Sequence, residues 1–194
     1  MEKPQSVKEY RMLSIATAPQ KVMEVIFKYP DKEFSLSDLA KEAGVAKPNM
    51  SEILAQLQSK NLVQIEKLSK IWRIRANRTN QEYIRNKIIY NLNFIYQSGL
   101  IEFLVKAYGN PKAIVLFGSF RKGEDLSTSD IDIAIEDSFA SEYNAVYLGA
   151  LTEYEKSIGR RIQIHEFNRK TIEIHVFNNI ANGIVLHGFL EVKK

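Results

Sequence analysis

Two aspartates one residue apart, Asp130 and Asp132, alternate with Ile131, Ile133 and Ile135. This is the pattern of a strand, in which successive side chains point to opposite faces. The two carboxylates therefore share one face, about 7 Å apart at roughly 3.3 Å of rise per residue. Carboxylates so placed can both reach one metal centre. Hard divalent cations such as magnesium take oxygen ligands together with the phosphates of a substrate. Upstream, the apolar run Ala113 to Phe117 has strand length and is ended by Gly118 and Ser119. A Gly-Ser turn opening a short helix offers free backbone N–H groups and a hydroxyl, which suit a phosphate. Arg121 and Lys122 follow the turn and are candidates to neutralise phosphate charge. A turn followed by an edge strand with a solvated acidic face is the alternative reading of the same residues.

The pattern Gly118-Ser119, ten residues ending in Ser129, then Asp130-x-Asp132 resembles the nucleotidyltransferase signature of the DNA polymerase beta superfamily. It looks most like the minimal nucleotidyltransferases, which are single small catalytic domains. The resemblance covers roughly Tyr108 to Val192. It implies transfer of a nucleoside monophosphate, AMP from ATP, with two magnesium ions (Mg2+). Asp130 and Asp132 would be metal ligands, and Gly118, Ser119, Arg121, Lys122 and Ser129 would hold the nucleotide. Members of the resembled family often rely on a protein partner, including toxin partners that they silence by adenylylation. They also carry a third catalytic carboxylate on a later strand. In this chain the matching position is Gln163, in the alternating run Arg161 to Phe167. An amide is a poor substitute for a base that would accept a hydroxyl proton. Glu166 is close in sequence, but in a regular strand it falls on the other face, and only a bulge would bring it round. His165 is expected to be a packed or solvated histidine.

Other elements must position these residues. The stripe Tyr147, Leu151, Tyr154, Ile158 predicts a helix over Ser141 to Ile158, capped by Gly159. A short helix is expected to end at Asn178 to Ala181, before a last strand at Ile184 to Leu186. Gln81 to Tyr108 has helical apolar spacing, interrupted at Ser98-Gly99. Its stripe would brace two domains or form a homodimer seam. The expected domains are 1–78, a connecting helix 79–108, and 109–194, the last a mixed α/β (α+β) fold with a sheet flanked by helices.

The N-terminal part reads as helix, short strand, helix, tight turn, helix and hairpin. Pro19 to Lys28 carries the first apolar face. Phe34-Ser35-Leu36 is extended, Ser37 is the expected N-cap of a helix over Asp38 to Glu42, and a second helix runs from Pro48 to Lys60. Two short strands follow, Leu62 to Glu66 and Ile71 to Arg75. Ser37 to Val63 resembles the winged helix-turn-helix family through its Leu-Ala-x-x-Ala-Gly-Val turn and Ile-Leu-x-x-Leu helix. That resemblance implies double-stranded DNA as a partner. Lys47, Asn49 and Ser51 would enter the major groove, and Lys67, Lys70 and Arg73 would meet phosphate. A protein-docking or dimerisation module is the alternative.

Charge supports the division. Residues 1–110 hold 17 Lys/Arg and 11 Asp/Glu, a net of +6, and residues 111–194 hold 10 and 12, a net of −2. A basic segment beside an acidic one suggests a polyanion for the first and different work for the second. There is no cysteine, which excludes disulfides and thiolate metal sites. No apolar run reaches membrane-spanning length, and Met-Glu-Lys-Pro-Gln lacks an apolar signal region. A cytoplasmic protein with no membrane partner is the expectation. Two functions fit: a nucleotidyltransferase carrying a DNA-binding unit, or a DNA-binding, antitoxin-like regulator whose nucleotidyltransferase fold senses nucleotide with little turnover.

Overall fold

A computed structural model describes residues 17–68, 71–138, 140 and 142–192. They fall into two compact units, with the division between Tyr90 and Asn91.

In the first unit, α1 (Ala18–Lys28) buries Val22, Val25, Ile26 and Phe27. Phe27 packs its ring against Tyr83 and Tyr90, with centroids 5.4 and 5.3 Å away. Helix α2 spans Leu36–Ala43 and ends at Gly44, whose φ of 61° is left-handed. Its N-cap is Ser35, not Ser37: the Ser35 hydroxyl accepts from Asp38 N–H at 3.1 Å. Either serine has the chemistry of a cap. The choice follows from Phe34, whose backbone bridges Ile74 and so ends the extended piece two residues earlier. A 3₁₀ turn, Lys47–Asn49, leads into α3 (Met50–Ser59). This helix buries Met50, Ile53, Leu54 and Leu57, as their spacing predicts. Asn61 then turns left-handed, and β1 (Val63–Leu68) and β2 (Ile71–Ala76) form an antiparallel hairpin.

Helix α4 (Gln81–Gln97) contains the division between the units, and α5 (Leu100–Ala107) follows after Gly99. Gly99 has φ 80°, so the apolar run breaks where Ser98-Gly99 predicts. The second unit then holds β3 (Ala113–Phe117), α6 (Gly118–Lys122), β4 (Ile131–Glu136), β5 (Asn144–Tyr147), α7 (Thr152–Ile158), β6 (Ile162–Phe167), α8 (Ile174–Ala181) and β7 (Ile184–Gly188). The strands make one five-stranded sheet in the order β5-β6-β4-β3-β7, with β4 and β6 parallel and the other pairs antiparallel.

The sheet has two different faces. Ile114, Leu116, Ile131, Ile133, Ile135, Ile162 and Ile164 point to one of them and are fully buried. The other is divided along its length. Ala113, Val115, Ala134 and Phe167 form an apolar cluster there with Ile180 of α8. Beyond that cluster the same face carries Asp132, Gln163 and Tyr147, which are opposed across the strands. Among the described residues no helix is long and apolar enough to cross a membrane.

The helix expected over Ser141 to Ile158 is corrected. Ser141 lies outside the described residues, 144–147 is a strand, and the helix begins only after a 3₁₀ turn at Gly149–Leu151. Tyr147 was in phase with Leu151, Tyr154 and Ile158 by coincidence. Val146 and the neighbouring tyrosines suit a pleated surface, and β6 would otherwise leave an edge of unpaired N–H and C=O groups.

Candidate functional site

The site lies where β3 ends and α6 begins, against the start of β4. Gly118 has φ 73°, a conformation costly for any residue with a Cβ. A Cβ built at this position would also overlap the Asp132 carboxylate. Two constraints thus select glycine: the backbone turn and the close approach to Asp132. Phe117 lies opposite Asp132 in the β3–β4 ladder, which places the turn directly against that carboxylate.

Asp130 and Asp132 reach the same face, and each is held by partners from neighbouring strands. Asp130 Oδ2 accepts from the Tyr147 hydroxyl at 2.8 Å. Arg161 donates Nε–H to Asp130 Oδ1 at 3.2 Å and its terminal NH2 to Oδ2 at 3.4 Å. The Arg161 guanidinium also lies over the Tyr147 ring, 4.6 Å from its centroid. Gln163 donates from Nε2 to the Tyr147 oxygen at 3.1 Å. His165 Nε2 stands 3.2 Å from Asp132 Oδ1, and its Nδ1 is hydrogen-bonded to the Tyr143 hydroxyl. Phe117 packs edge-on against the imidazole, with ring centroids 4.8 Å apart. The hydrogen bond to Asp130 is the first cause that raises the Tyr147 phenol above its ordinary pKa, because it favours the protonated form.

Sequence reasoning placed Asp130, Asp132 and Gln163 on one face, and the structure brings them together there. His165 is packed as expected, 6% exposed among the rings of Phe117 and Tyr143, and its Nε2 also faces Asp132. Tyr147 and Arg161 are not legible as site residues in the sequence, where a helical spacing masks the strand that presents Tyr147. The alternation Gln163, His165 was the signal available for the histidine. Glu166 does not join the site: β6 stays in unbroken parallel register with β4, so no bulge turns it inward. Its carboxylate accepts from the Tyr108 hydroxyl at 2.6 Å. Burial first, and then this hydrogen bond, pushes the Tyr108 phenol well above its ordinary range.

Ser119 is half-buried at the first turn of α6, Arg121 is half-buried and Lys122 is exposed. Ser129 fastens its own loop, its hydroxyl accepting from Leu126 N–H at 2.9 Å. A pocket of about 460 Å³ opens beside Asp130, lined by Ser127 to Ser129 and by Thr152, Lys156 and Arg161. The loop before it is anchored by Asp125, which pairs with Arg160 at 3.4 Å and accepts from Asn91 Nδ2 at 2.9 Å.

Asp130 and Asp132 present carboxylate oxygens of the kind that hard cations take, and the missing Cβ of Gly118 leaves the backbone of the turn close to Asp132. The two carboxylates are compatible with a divalent cation, although each is engaged in the protein, Asp130 by Arg161 and Tyr147 and Asp132 by His165. Among the described residues no group of three or more His, Cys, Asp or Glu side chains is placed to hold a metal.

In the first unit, Lys47, Asn49 and Ser51 are exposed at the start of α3, and Lys67 is exposed on the hairpin with its Nζ 4.1 Å from the centroid of the Trp72 ring. Lys70 lies outside the described residues. Arg73 is committed locally, bonded to Glu33 at 2.7 Å and within 3.6 Å of Glu66. The Glu33 hydrogen bond is the first cause that raises its pKa. A groove of about 530 Å³ runs between Ser37, Lys47, Ser51 and Trp72.

Residues 100–188 match the family model described as Polymerase beta, Nucleotidyltransferase. The match supports the superfamily that the Gly-Ser turn and D-x-D pair resemble, and with it a nucleotidyltransferase type of function for this segment. The mixed sheet with flanking helices is compatible with that fold. No curated protein and no solved structure matches the chain.

Proposed function

We propose that the second unit transfers a nucleoside monophosphate, AMP from ATP, to an acceptor hydroxyl. The observation that carries this reading is the approach of Gly118 to Asp132 of β4, with Asp130 just before that strand and hydrogen-bonded to Tyr147 of β5. Divalent magnesium bound by these carboxylates would neutralise phosphate charge and orient the reacting oxygens. Gly118 and Ser119 would meet the triphosphate, with Arg121 and Lys122 as nearby countercharge. Arg161 and His165 hold the two carboxylates in place through hydrogen bonds. The first unit is proposed to bind double-stranded DNA as a winged helix, through Lys47, Asn49 and Ser51 in the groove and Lys67 on phosphate. A protein acceptor or toxin partner and a cytoplasmic location belong to the same reading.

One observation favours a second reading. Gln163 stands opposite Asp132, where the resembled family has its third carboxylate, and it donates to Tyr147. This suits a DNA-binding regulator that senses nucleotide with little turnover. Calorimetry and a pyrophosphate-release assay with magnesium and ATP test both readings. Wild type should bind nucleotide, and Asp130→Asn/Asp132→Asn should lose metal-dependent binding. Equal affinity in the double variant would remove the proposed site. Gln163→Glu adds a carboxylate beside Asp132. In an enzyme short of a base it should raise turnover, since a well-placed base contributes about 10²–10⁴-fold. In a sensor it should create none.

A further inference from the structure

A phenol lies between Asp130 and Gln163. The Tyr147 oxygen is 2.8 Å from Asp130 Oδ2 and 3.1 Å from Gln163 Nε2, so it lies between a proposed metal ligand and the position of the missing third carboxylate. In the resembled chemistry, that is where the attacking hydroxyl would lose its proton. Tyr147 comes from β5, the outermost strand of the sheet, and is 47% exposed. The side chain is therefore reachable from solvent. Arg161 covers its ring and donates to the same carboxylate.

We propose that Tyr147 is a nucleotidylation site of this protein, modified in its own active site. The inference rests on the proposed nucleotidyl transfer. The Tyr147 oxygen attacks the α-phosphorus of a nucleoside triphosphate, and a phosphodiester bond to the phenol forms. The bond from the α-phosphorus to the oxygen bridging to the β-phosphate breaks, and pyrophosphate leaves. The phenolic proton is released to solvent water at the exposed edge of the sheet. No electron donor or acceptor is required. Arg161, stacked on the ring, lies close enough to balance the charge of the new phosphodiester. Gln163 holds the phenol oxygen with a donor and cannot compete for its proton, which gives the amide at this position a role that a carboxylate would not have.

The test has two readouts. Peptide mass spectrometry of the full-length protein as purified from cells, with no metal or nucleotide added, asks whether the peptide containing Tyr147 carries a nucleoside monophosphate. Incubation with magnesium and a mixture of the common ribonucleoside triphosphates, radiolabelled at the α-phosphorus, asks whether the protein labels itself. Wild type should carry the adduct on Tyr147. Tyr147→Phe, which keeps the ring under Arg161, should lose the label. Asp132→Asn should also lose it. Label that persists in Tyr147→Phe, or that maps to another residue, would overturn the proposal. So would a wild-type protein that binds nucleotide or releases pyrophosphate with its Tyr147 peptide unmodified, and in that case nucleotidyl transfer itself would survive. Absence of both nucleotide binding and pyrophosphate release would sink the two readings together.

Discussion

At the scale of single residues, Gly118 does the most positioning with the fewest atoms. Its left-handed φ and its approach to Asp132 are separate requirements, and alanine violates both. Gly118→Ala is therefore expected to displace the Asp132 carboxylate or the turn that carries Ser119. A strained φ of this kind costs of order 1–3 kcal/mol, so the melting temperature should fall while the chain still folds. Nucleotide affinity should fall further than stability predicts, because the displaced group is a proposed ligand. Calorimetry beside a thermal melt checks this. Full nucleotide affinity in Gly118→Ala would detach the turn from the site. Gly44 is the useful contrast: it is also left-handed, but a Cβ there meets nothing within 4 Å.

At the scale of elements, the segment between α6 and β4 must hold the turn and the aspartates in one geometry. Its anchor is Asp125, whose side chain is 1% exposed and is paired with Arg160 at 3%. Asn91 donates both to Asp125 and to the Phe120 carbonyl, which fastens the end of α6 to the same point. Removing one member of a buried ion pair strands the other charge and costs about 3–5 kcal/mol. Arg160→Met should therefore lose about that much in urea unfolding, and Asp125→Asn/Arg160→Met should lose less because no charge is left unpaired. A single Arg160→Met variant as stable as wild type would show that Asn91 alone holds the loop.

At the scale of the whole molecule, cationic charge is concentrated before the segment that matches the nucleotidyltransferase family model. Lys47 to Arg78 holds seven Lys/Arg against two Asp/Glu. Not all of that charge is available to a polyanion, since Glu33 lies within 4 Å of both Arg73 and Arg75. Lys67→Ala in the full chain should weaken binding to all duplexes alike and flatten the salt dependence by roughly one unit. Arg73→Ala should change the slope less, because its charge is already matched. Asn49→Ala should instead lose about 1–3 kcal/mol of discrimination at one base pair, if the side chain reads a base edge. Fluorescence anisotropy over a salt series measures all three. No affinity for any duplex at low salt would favour the docking-module alternative.

Period and punctuation carried much of this protein in one dimension. Alternation put Asp130 and Asp132 on one face, Gly118-Ser119 marked the turn, and the spacing of Met50, Ile53, Leu54 and Leu57 marked a buried helical face. These are local properties, decided by strand and helix geometry over a few residues. Contacts between distant segments were not legible. Ser35 rather than Ser37 caps α2 because Phe34 bridges Ile74, forty residues away. Tyr147 belongs to a strand because β6 offers an open edge, although its spacing from Leu151 and Tyr154 is helical. Arg161, His165 and Tyr147 meet the aspartates only because β6 lies between β4 and β5, an order no local pattern encodes. The same register turns Glu166 away to Tyr108 and leaves Gln163 beside Asp132. Sequence periodicity determined which residues share a face, and strand order, set by pairing across the sheet, determined which faces meet.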